Sequence, residues 1–155
     1  LNPTIAIESN KWQHYAVTFD GTYVTIYVNG SFAGRKEIAM SVVNNGEFPY
    51  MSFMGVGGSN GYWAPGDRWW YGCQTMTNEI RVWDVARSAD QIANSIKSVS
   101  PSSKGLIGYW RISKGNYDES QKVFKNLAGD HHHLHTDHSF TWVENVSSED
   151  LSTPW

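Results

Sequence analysis

The sequence predicts an all-β fold of antiparallel strands, and the clearest indication lies near the start of the chain. Residues 13–19 alternate between apolar and polar positions, with Tyr15, Val17 and Phe19 on one face, and such alternation is typical of a half-buried strand. Residues 23–28 are all β-branched or aromatic, which favours a second strand. Asp-Gly and Asn-Gly follow these two runs, and these dipeptides supply the positive φ angles of tight hairpin turns. Together the observations predict an antiparallel sheet with hairpin connections.

Further strands and one helix follow along the chain. The helix is short and is expected near 88–97, because Ser88 and Gln91 have the spacing of a capping box and Ile92 and Ile96 share a helical face. In chain order, we expect the strands near 12–19, 23–29, 31–38, 50–56, 78–84, 106–112 and 139–144.

Composition excludes several classes of partner. The chain has 155 residues, of which 40 % are hydrophobic and 17 % are charged, as in an ordinary folded domain. Its net charge is −3 and it has no run of Lys or Arg, so we expect no nucleic-acid partner, which would be bound through clustered positive charge. No apolar stretch approaches the roughly 18 residues of a membrane helix, so no membrane insertion is expected. The single cysteine, Cys73, excludes an internal disulfide framework.

Four motifs occur in a fixed order over residues 1–97. They are Trp12-x-His14-x-Ala-Val-Thr-x-Asp-Gly, Val28-Asn-Gly30, Gly55-x-Gly-Gly-Ser59 and Asn78-Glu-Ile-Arg-Val-Trp-Asp-Val-Ala-Arg-Ser-Ala-x-x-Ile92. Together they resemble the laminin-G-like, concanavalin A-like family. The resemblance implies a two-sheet antiparallel jelly-roll sandwich, usually a module of a secreted or cell-surface protein that often binds carbohydrate and sometimes calcium. The family also includes pure interaction domains, so the fold follows from the resemblance more directly than the function does.

The resemblance also bears on the extent of the domain. In the family, the segment matching residues 12–30 falls near the middle, so the strands that ordinarily precede it are expected to be missing here. Residues 105–135 resemble the opening strands of such a domain, and they either complete this sandwich or begin a second copy. We favour completion, because a half-sandwich would expose long apolar edges. We therefore expect a single domain over residues 1–146 and a loosely held tail over 147–155.

The loop over residues 57–72 is the first candidate site, for carbohydrate. It combines aromatic rings, on which the C–H faces of sugars stack, with polar groups that bind hydroxyls. In the alternative interpretation, Trp70 and Tyr71 fill the core and Trp63 packs the loop down. Trp69 is the best single candidate. The full predicted set is Asn60, Tyr62, Trp63, Asp67, Arg68, Trp69 and Trp70.

The histidine-rich segment 130–138 is the second candidate, for a metal ion. In an extended strand, His131, His133 and His135 would share one face, with a carboxylate from Asp130 or Asp137, and such a face could hold zinc, nickel or copper. The alternative is a row of solvent-facing histidines that chelate added metal without a biological role.

Calcium is implied by the resemblance alone. Where members of the family bind it, an Asp in an Asp-x-Ser-Gly-Asn-like turn contributes an oxygen, and backbone carbonyls complete the shell. Asn126 stands where that Asp would be, and Asp130 follows. A neutral amide is a weaker ligand than a carboxylate, which counts against calcium.

Catalysis is not expected. Glycosidases of the superfamily carry their acid and nucleophile in a Glu-x-Asp-x-(x)-Glu pattern on one strand, about 5–5.5 Å apart, and this pattern does not occur. Glu79 and Asp84 are five apart on a predicted strand and would face opposite ways, while Asp118 and Glu119 are adjacent in a turn-like stretch.

The sequence therefore predicts a non-catalytic, lectin-like module of a multidomain protein that holds its neighbouring domains on a glycan or polysaccharide. The alternatives are an interaction or spacer module without a sugar site and, third, a glycoside hydrolase. The C-terminal pattern is similar to modules of Bacteroidetes glycan-utilisation proteins. That similarity implies an extracellular or cell-surface location, at the outer membrane or in the periplasm if the source is Gram-negative.

Overall fold

Antiparallel strands dominate the part of the chain that the structure describes. The structure is a computed structural model, and it describes residues 8, 11–38, 76–136 and 142. The predicted all-β class is confirmed. The strands, in chain order, are β1 (Tyr15–Phe19), β2 (Tyr23–Val28), β3 (Ser31–Glu37), β4 (Glu79–Trp83), β5 (Leu106–Arg111), β6 (Tyr117–Asp118), β7 (Val123–Phe124) and β8 (Leu134–His135).

One short helix, α1 (Ala89–Ala93), lies where the capping box predicts it. The Ser88 hydroxyl accepts a hydrogen bond from the Gln91 backbone N–H (3.2 Å), and the Gln91 side chain accepts one from the Ser88 N–H (2.9 Å). Ile92 is the buried residue of the helix. A 3₁₀ turn covers Lys114–Asn116. Within the described residues, no helix is both long and apolar enough to cross a membrane.

β1, β2 and β3 form the first sheet, with β2 in the middle. The turn from β2 to β3 has positive φ at Asn29 (50°) and Gly30 (76°), as the Asn-Gly dipeptide predicts. A Cβ on Gly30 would lie only 2.9 Å from Ile96 Cδ1. Ala93 Cα would lie 3.1 Å from the same Cβ, so the turn packs against the end of α1 and the segment that follows it, and the positive φ together with this approach favours glycine.

β4 and β5 form the second sheet, in which Ile80 lies opposite Trp110 and Val82 opposite Gly108. The Trp110 ring covers Gly108 so closely that a Cβ there would clash with it. Since β5 pairs with β4, residues 106–111 join the strand of residues 79–83 in one sheet. The buried apolar residues lie on β2, β3, α1, β5 and β7: Tyr27, Val28, Ala33, Ile92, Leu106, Tyr109, Trp110, Val123 and Phe124.

β6, β7 and β8 form a third antiparallel sheet. The rings of Tyr117, Phe124 and Trp142 contact each other, with centroids 4.9–6.1 Å apart. The sequence did not predict these strands, because a two-residue strand is too short to show alternation.

The chain divides into two compact units. Residues Leu1–Met40 and Asn78–Trp155 belong to one compact unit, and Ser41–Thr77 belongs to a second. The predicted strand near 50–56, most of 139–144 and the tail over 147–155 lie outside the described residues. The extent of the domain, 1–146, stays a prediction.

Candidate functional site

The predicted sugar-binding residues lie outside the described residues. All of them fall between residues 39 and 75, so the loop over 57–72 stays a prediction from the sequence. The set is Asn60, Tyr62, Trp63, Asp67, Arg68, Trp69 and Trp70.

Asn126, the residue considered for calcium, is a buried structural residue, with 8 % of its surface exposed. Its Oδ1 accepts hydrogen bonds from the backbone N–H groups of Tyr109 (2.8 Å) and Ala128 (3.0 Å). Its Nδ2 donates to the carbonyls of Ile107 (3.0 Å) and His131 (2.9 Å). All four hydrogen-bonding positions of the amide are occupied. Asn126 therefore ties β5 to the histidine-rich segment, and neither Oδ1 lone pair is left for a cation.

The histidine-rich segment does not form the continuous extended strand that would place His131, His133 and His135 on one face. His132 has a φ of 59°, and only Leu134–His135 is paired as a strand. The carbonyl of His131 faces Asn126, and the carbonyl of His132 accepts a hydrogen bond from Trp110 Nε1 at 2.9 Å. Both of these side chains are exposed. The expectation of one strand face shared by residues 131, 133 and 135 is therefore wrong, because the turn at His132 breaks the alternation.

The predicted metal ligands do not lie together within the described part of the chain. The described residues contain no group of three or more His, Cys, Asp or Glu side chains that could hold a metal ion. Asp130 and His135 are exposed. The Nδ1 lone pair of His133 is already used, because it accepts the backbone N–H of Asn126 at 3.2 Å. Asp137 lies outside the described residues, so its part in a metal site stays a prediction. The described residues of the predicted set, Asn126, Asp130, His131, His133 and His135, form no such group.

Glu79, considered as a catalytic carboxylate, is held in a polar cluster. It forms an ion pair with Arg81, and its Oε2 accepts the Tyr109 hydroxyl at 3.1 Å. Arg81 also donates to the carbonyls of Ser95 (2.5 Å) and Ile96 (3.2 Å). The Arg81 side chain is only 9 % exposed. These bonds fasten the segment that follows α1 to β4, so they give Glu79 a structural role.

The pKa of Asp118 is shifted in the wrong direction for a general acid. Its Oδ1 accepts hydrogen bonds from the Ser120 hydroxyl (2.6 Å) and backbone (3.0 Å) and from the Gln121 backbone (3.2 Å). These bonds hold the pKa of Asp118 below its ordinary value. A glycosidase acid needs a raised pKa instead.

His14 lies beside the same polar cluster. Its backbone exchanges hydrogen bonds with Asn29, whose Oδ1 accepts the His14 N–H at 2.8 Å. Its buried Nδ1 has no hydrogen-bond partner among the described residues. Burial, and secondarily the charge of Arg81, lowers the pKa of His14. The family resemblance also implies a structural histidine here.

A groove of about 240 Å³ opens between the end of β4, α1 and the turn-rich connection to β5. The guanidinium of Arg87 stacks over the Trp83 ring, with Cζ 3.9 Å from the ring centroid, and its Nη2 donates to the Gln91 carbonyl at 3.0 Å. Lys104, from the connection, also lines the groove. Sequence reasoning did not single these residues out, because Lys104 is distant from Trp83 in the chain. The available sequence signal was Trp83, an aromatic residue that shares one face of β4 with Glu79 and Arg81.

Comparison with known proteins identifies the fold family. A laminin-G-like family model, described as "Concanavalin A-like lectin/glucanases superfamily", matches residues 1–93. No curated protein matches the chain.

Two solved structures resemble the chain. One is a "putative carbohydrate binding protein" from Bacteroides ovatus, with 27 % identity, a TM-score of 0.59 and coverage of 83 % of this chain. The other is an S-layer domain-containing protein from Clostridium thermocellum, with 27 % identity, a TM-score of 0.46 and coverage of 58 % of this chain. The chain spans 35 % and 41 % of the lengths of these two structures. Since the family match covers more than half of the sequence, the chain belongs to the laminin-G-like family of the concanavalin A-like lectin/glucanase superfamily.

Proposed function

We propose that the chain is a non-catalytic carbohydrate-binding module. The observation that carries the proposal is the family membership, together with 27 % identity over 83 % of the chain to the Bacteroides ovatus protein. Since the chain spans 35 % of that structure, the proposal concerns a module and not the activity of a whole protein. We further propose that the module belongs to a secreted or cell-surface multidomain protein of a Bacteroidetes bacterium.

The proposed mechanism is stacking of sugar rings on the aromatic side chains of the loop over 57–72. Trp69 is the central platform, while Asp67 and Arg68 orient the hydroxyls. Binding to a polymer would hold the neighbouring domains near their substrate, which raises their effective concentration without requiring tight intrinsic binding. The structural use of Glu79, which is paired with Arg81 and accepts the Tyr109 hydroxyl, supports a binding role over hydrolysis.

A glycan array tests this proposal, with Trp69→Ala beside the wild type and with calcium or EDTA in parallel. Loss of the platform should weaken binding by about tenfold or more, as truncation of a central aromatic residue does elsewhere. The matched control is Tyr15→Ala, which removes an aromatic side chain that is 48 % exposed on β1 and should leave the array pattern unchanged. Folded wild-type protein that binds nothing on a broad array would overturn the proposal.

An interaction module is the second candidate, and the surface of β1 favours it. Val17 is 67 % exposed and Tyr15 is 48 % exposed on the same strand face, and adjacent exposed apolar residues can mark a contact surface. Sedimentation velocity tests this candidate by self-association. If the face is a contact, Val17→Ser should lower the association that the wild type shows at rising concentration. A wild type that stays monomeric would count against self-association through this face.

A further inference from the structure

The groove beside α1 carries two positive charges in an acidic protein. Arg87 and Lys104 both line it, and the described residues that line it include no Asp or Glu. The net charge of the whole chain is −3, so this local excess runs against the overall balance. Asp84 lies nearby, since its Oδ1 approaches Gly105, but it is not part of the lining. The groove therefore favours an anionic ligand.

The guanidinium of Arg87 is held in position before any ligand binds. It stacks on Trp83 at 3.9 Å and donates to the Gln91 carbonyl at 3.0 Å. Gln91 is itself fixed by the capping box with Ser88. The bond to Gln91 occupies one of the five N–H donors of arginine. A preorganised cation loses little conformational entropy on binding, which is the usual property of a recognition residue.

The loop that carries Lys104 is also held by the fold. Its backbone is closed by bonds from Ser103 N–H to the Ser100 carbonyl and from Leu106 N–H to the Ser103 carbonyl, each 3.0 Å. The Gly105 carbonyl accepts the Asp84 N–H at 2.9 Å. Lys104 therefore projects from a defined turn, and it has no ion-pair partner among the described residues.

The size and the remaining walls of the groove restrict the ligand further. Its volume of about 240 Å³ corresponds to about eight liquid waters at about 30 Å³ each, which suits one sugar ring and is below the range of about 300–1,000 Å³ for larger ligands. The part of the Trp83 indole that Arg87 leaves uncovered supplies an apolar wall, and the hydroxyls of Ser98 and Ser103 supply hydrogen-bonding groups. The Ser95 hydroxyl already donates to the Gln91 carbonyl at 2.6 Å, so it offers a ligand only its acceptor lone pairs. The lining thus combines aromatic, hydroxyl and cationic groups.

We propose that this groove binds one anionic sugar residue, with its carboxylate or sulfate group between Arg87 and Lys104 and its ring against the part of the Trp83 indole that Arg87 leaves uncovered. The inference rests on the proposed carbohydrate-binding function, and it adds a second subsite on a different part of the chain from the loop over 57–72. The acidic group distinguishes the ligand of this groove from a neutral glycan.

Two-dimensional NMR titration tests the proposal with glucose, glucuronate, glucose 6-sulfate and inorganic sulfate as probes. The indole N–H signal of Trp83, assigned with Trp83→Phe, reports on the groove. Glucuronate or glucose 6-sulfate, or both, should shift this signal at millimolar concentration, and glucose should not. Lys104→Glu should weaken binding about tenfold, because attraction becomes repulsion. The matched control is Lys97→Glu, which makes the same charge change at an exposed residue outside the lining and should keep wild-type affinity.

The outcomes separate this inference from the proposed function. If the protein binds neutral glycans on the array but neither acidic sugar shifts the Trp83 indole signal, the groove proposal is wrong and the proposed carbohydrate-binding function stands. Shifts that inorganic sulfate reproduces at the same concentration would overturn the sugar assignment and leave a simple anion site. Equal losses in Lys104→Glu and Lys97→Glu would show a general charge effect and would also overturn the proposal. A dispersed spectrum of each variant establishes that it is folded.

Discussion

The histidine-rich segment and the groove beside α1 differ in how their polar groups are used. The histidine-rich segment 130–138, together with Asn126, has the residue types of a metal site. Its inward-facing groups are nevertheless already bonded: four hydrogen bonds saturate the Asn126 amide, and Nδ1 of His133 accepts another. The residue types that line the groove do not form a known binding motif. Arg87 and Lys104 nevertheless keep N–H donors available to a ligand. Available hydrogen-bonding donors therefore favour the groove over the histidine-rich segment as a candidate site.

The largest expected effect is at Asn126. Asn126→Asp keeps the two acceptor bonds but loses both donors and places a carboxylate beside the carbonyls of Ile107 and His131. Breaking a buried network in this way should lower the free energy of unfolding by about 3–5 kcal/mol. Urea denaturation at neutral pH measures the loss.

Asn116→Asp is the matched control for that change. Among the described residues, the Asn116 side chain donates to the Ser113 hydroxyl, at 2.9 Å in an exposed setting, so we expect a change within about 1 kcal/mol. If calcium raised the stability of Asn126→Asp above that of the wild type, the structural assignment of Asn126 would be wrong.

Gly105→Ala should be the next largest effect, and it concerns the groove. Gly105 has a φ of 83°, and a Cβ there would lie 2.8 Å from Asp84 Oδ1 and 2.9 Å from Val85 Cγ2. Strained backbone and crowding together should cost about 2–3 kcal/mol. Thermal unfolding followed by circular dichroism, with urea titration, measures this cost.

Gly129→Ala serves as its control. A Cβ at Gly129 meets nothing within 4 Å, and its φ lies outside the left-handed region. A change within about 0.5 kcal/mol is expected there. Equal costs at the two glycines would mean that the turn beside the groove is not specifically constrained.

His133→Ala tests the other side of the comparison. The substitution removes the acceptor of the Asn126 backbone N–H, which should cost about 1–2 kcal/mol. Because the role is structural, the cost should be the same with zinc and with EDTA. His135→Ala, at an exposed position, should cost about 0.5 kcal/mol or less. A cost at His133 that appears only with zinc would restore the metal-site interpretation.

The smallest expected effect is a pH dependence from His14. Burial first, and the charge of Arg81 second, lowers the pKa of His14 in the folded protein. The unfolded chain regains a pKa of about 6.5, so it binds more protons at acid pH and stability falls as the pH drops below that value.

Urea denaturation at about pH 7.5 and about pH 5 measures this slope, which His14→Gln should reduce. The lowered pKa values of Asp20 and Asp118 affect stability only as the pH falls below about 4. They therefore do not contribute in this interval. If His14→Gln leaves the change of unfolding free energy between these pH values unaltered, a group other than His14 causes the pH dependence.

Local sequence signals predicted the hairpins and the helix start because each depends on neighbouring residues. The Asn29–Gly30 turn has the two positive φ angles that its dipeptide favours, and the capping box of Ser88 and Gln91 is formed. The predicted strand face shared by His131, His133 and His135 was wrong because contacts with distant residues, which a local signal does not include, determine the backbone there. The prediction assumed local alternation, while hydrogen bonds from Trp110 and Asn126 to the carbonyls of His132 and His131 accompany a turn there.

The sequence by itself determined the all-β class, the family and the position of α1, because periodicity, turn dipeptides and ordered motifs are encoded within short windows. Only the tertiary structure decided how polar groups are used. It saturated Asn126 through contacts with β5 and paired Glu79 with Arg81. It also brought Lys104 into the groove that Trp83 and Arg87 line. Hydrogen-bond satisfaction is a property of the folded neighbourhood, so residue spacing alone cannot reveal it.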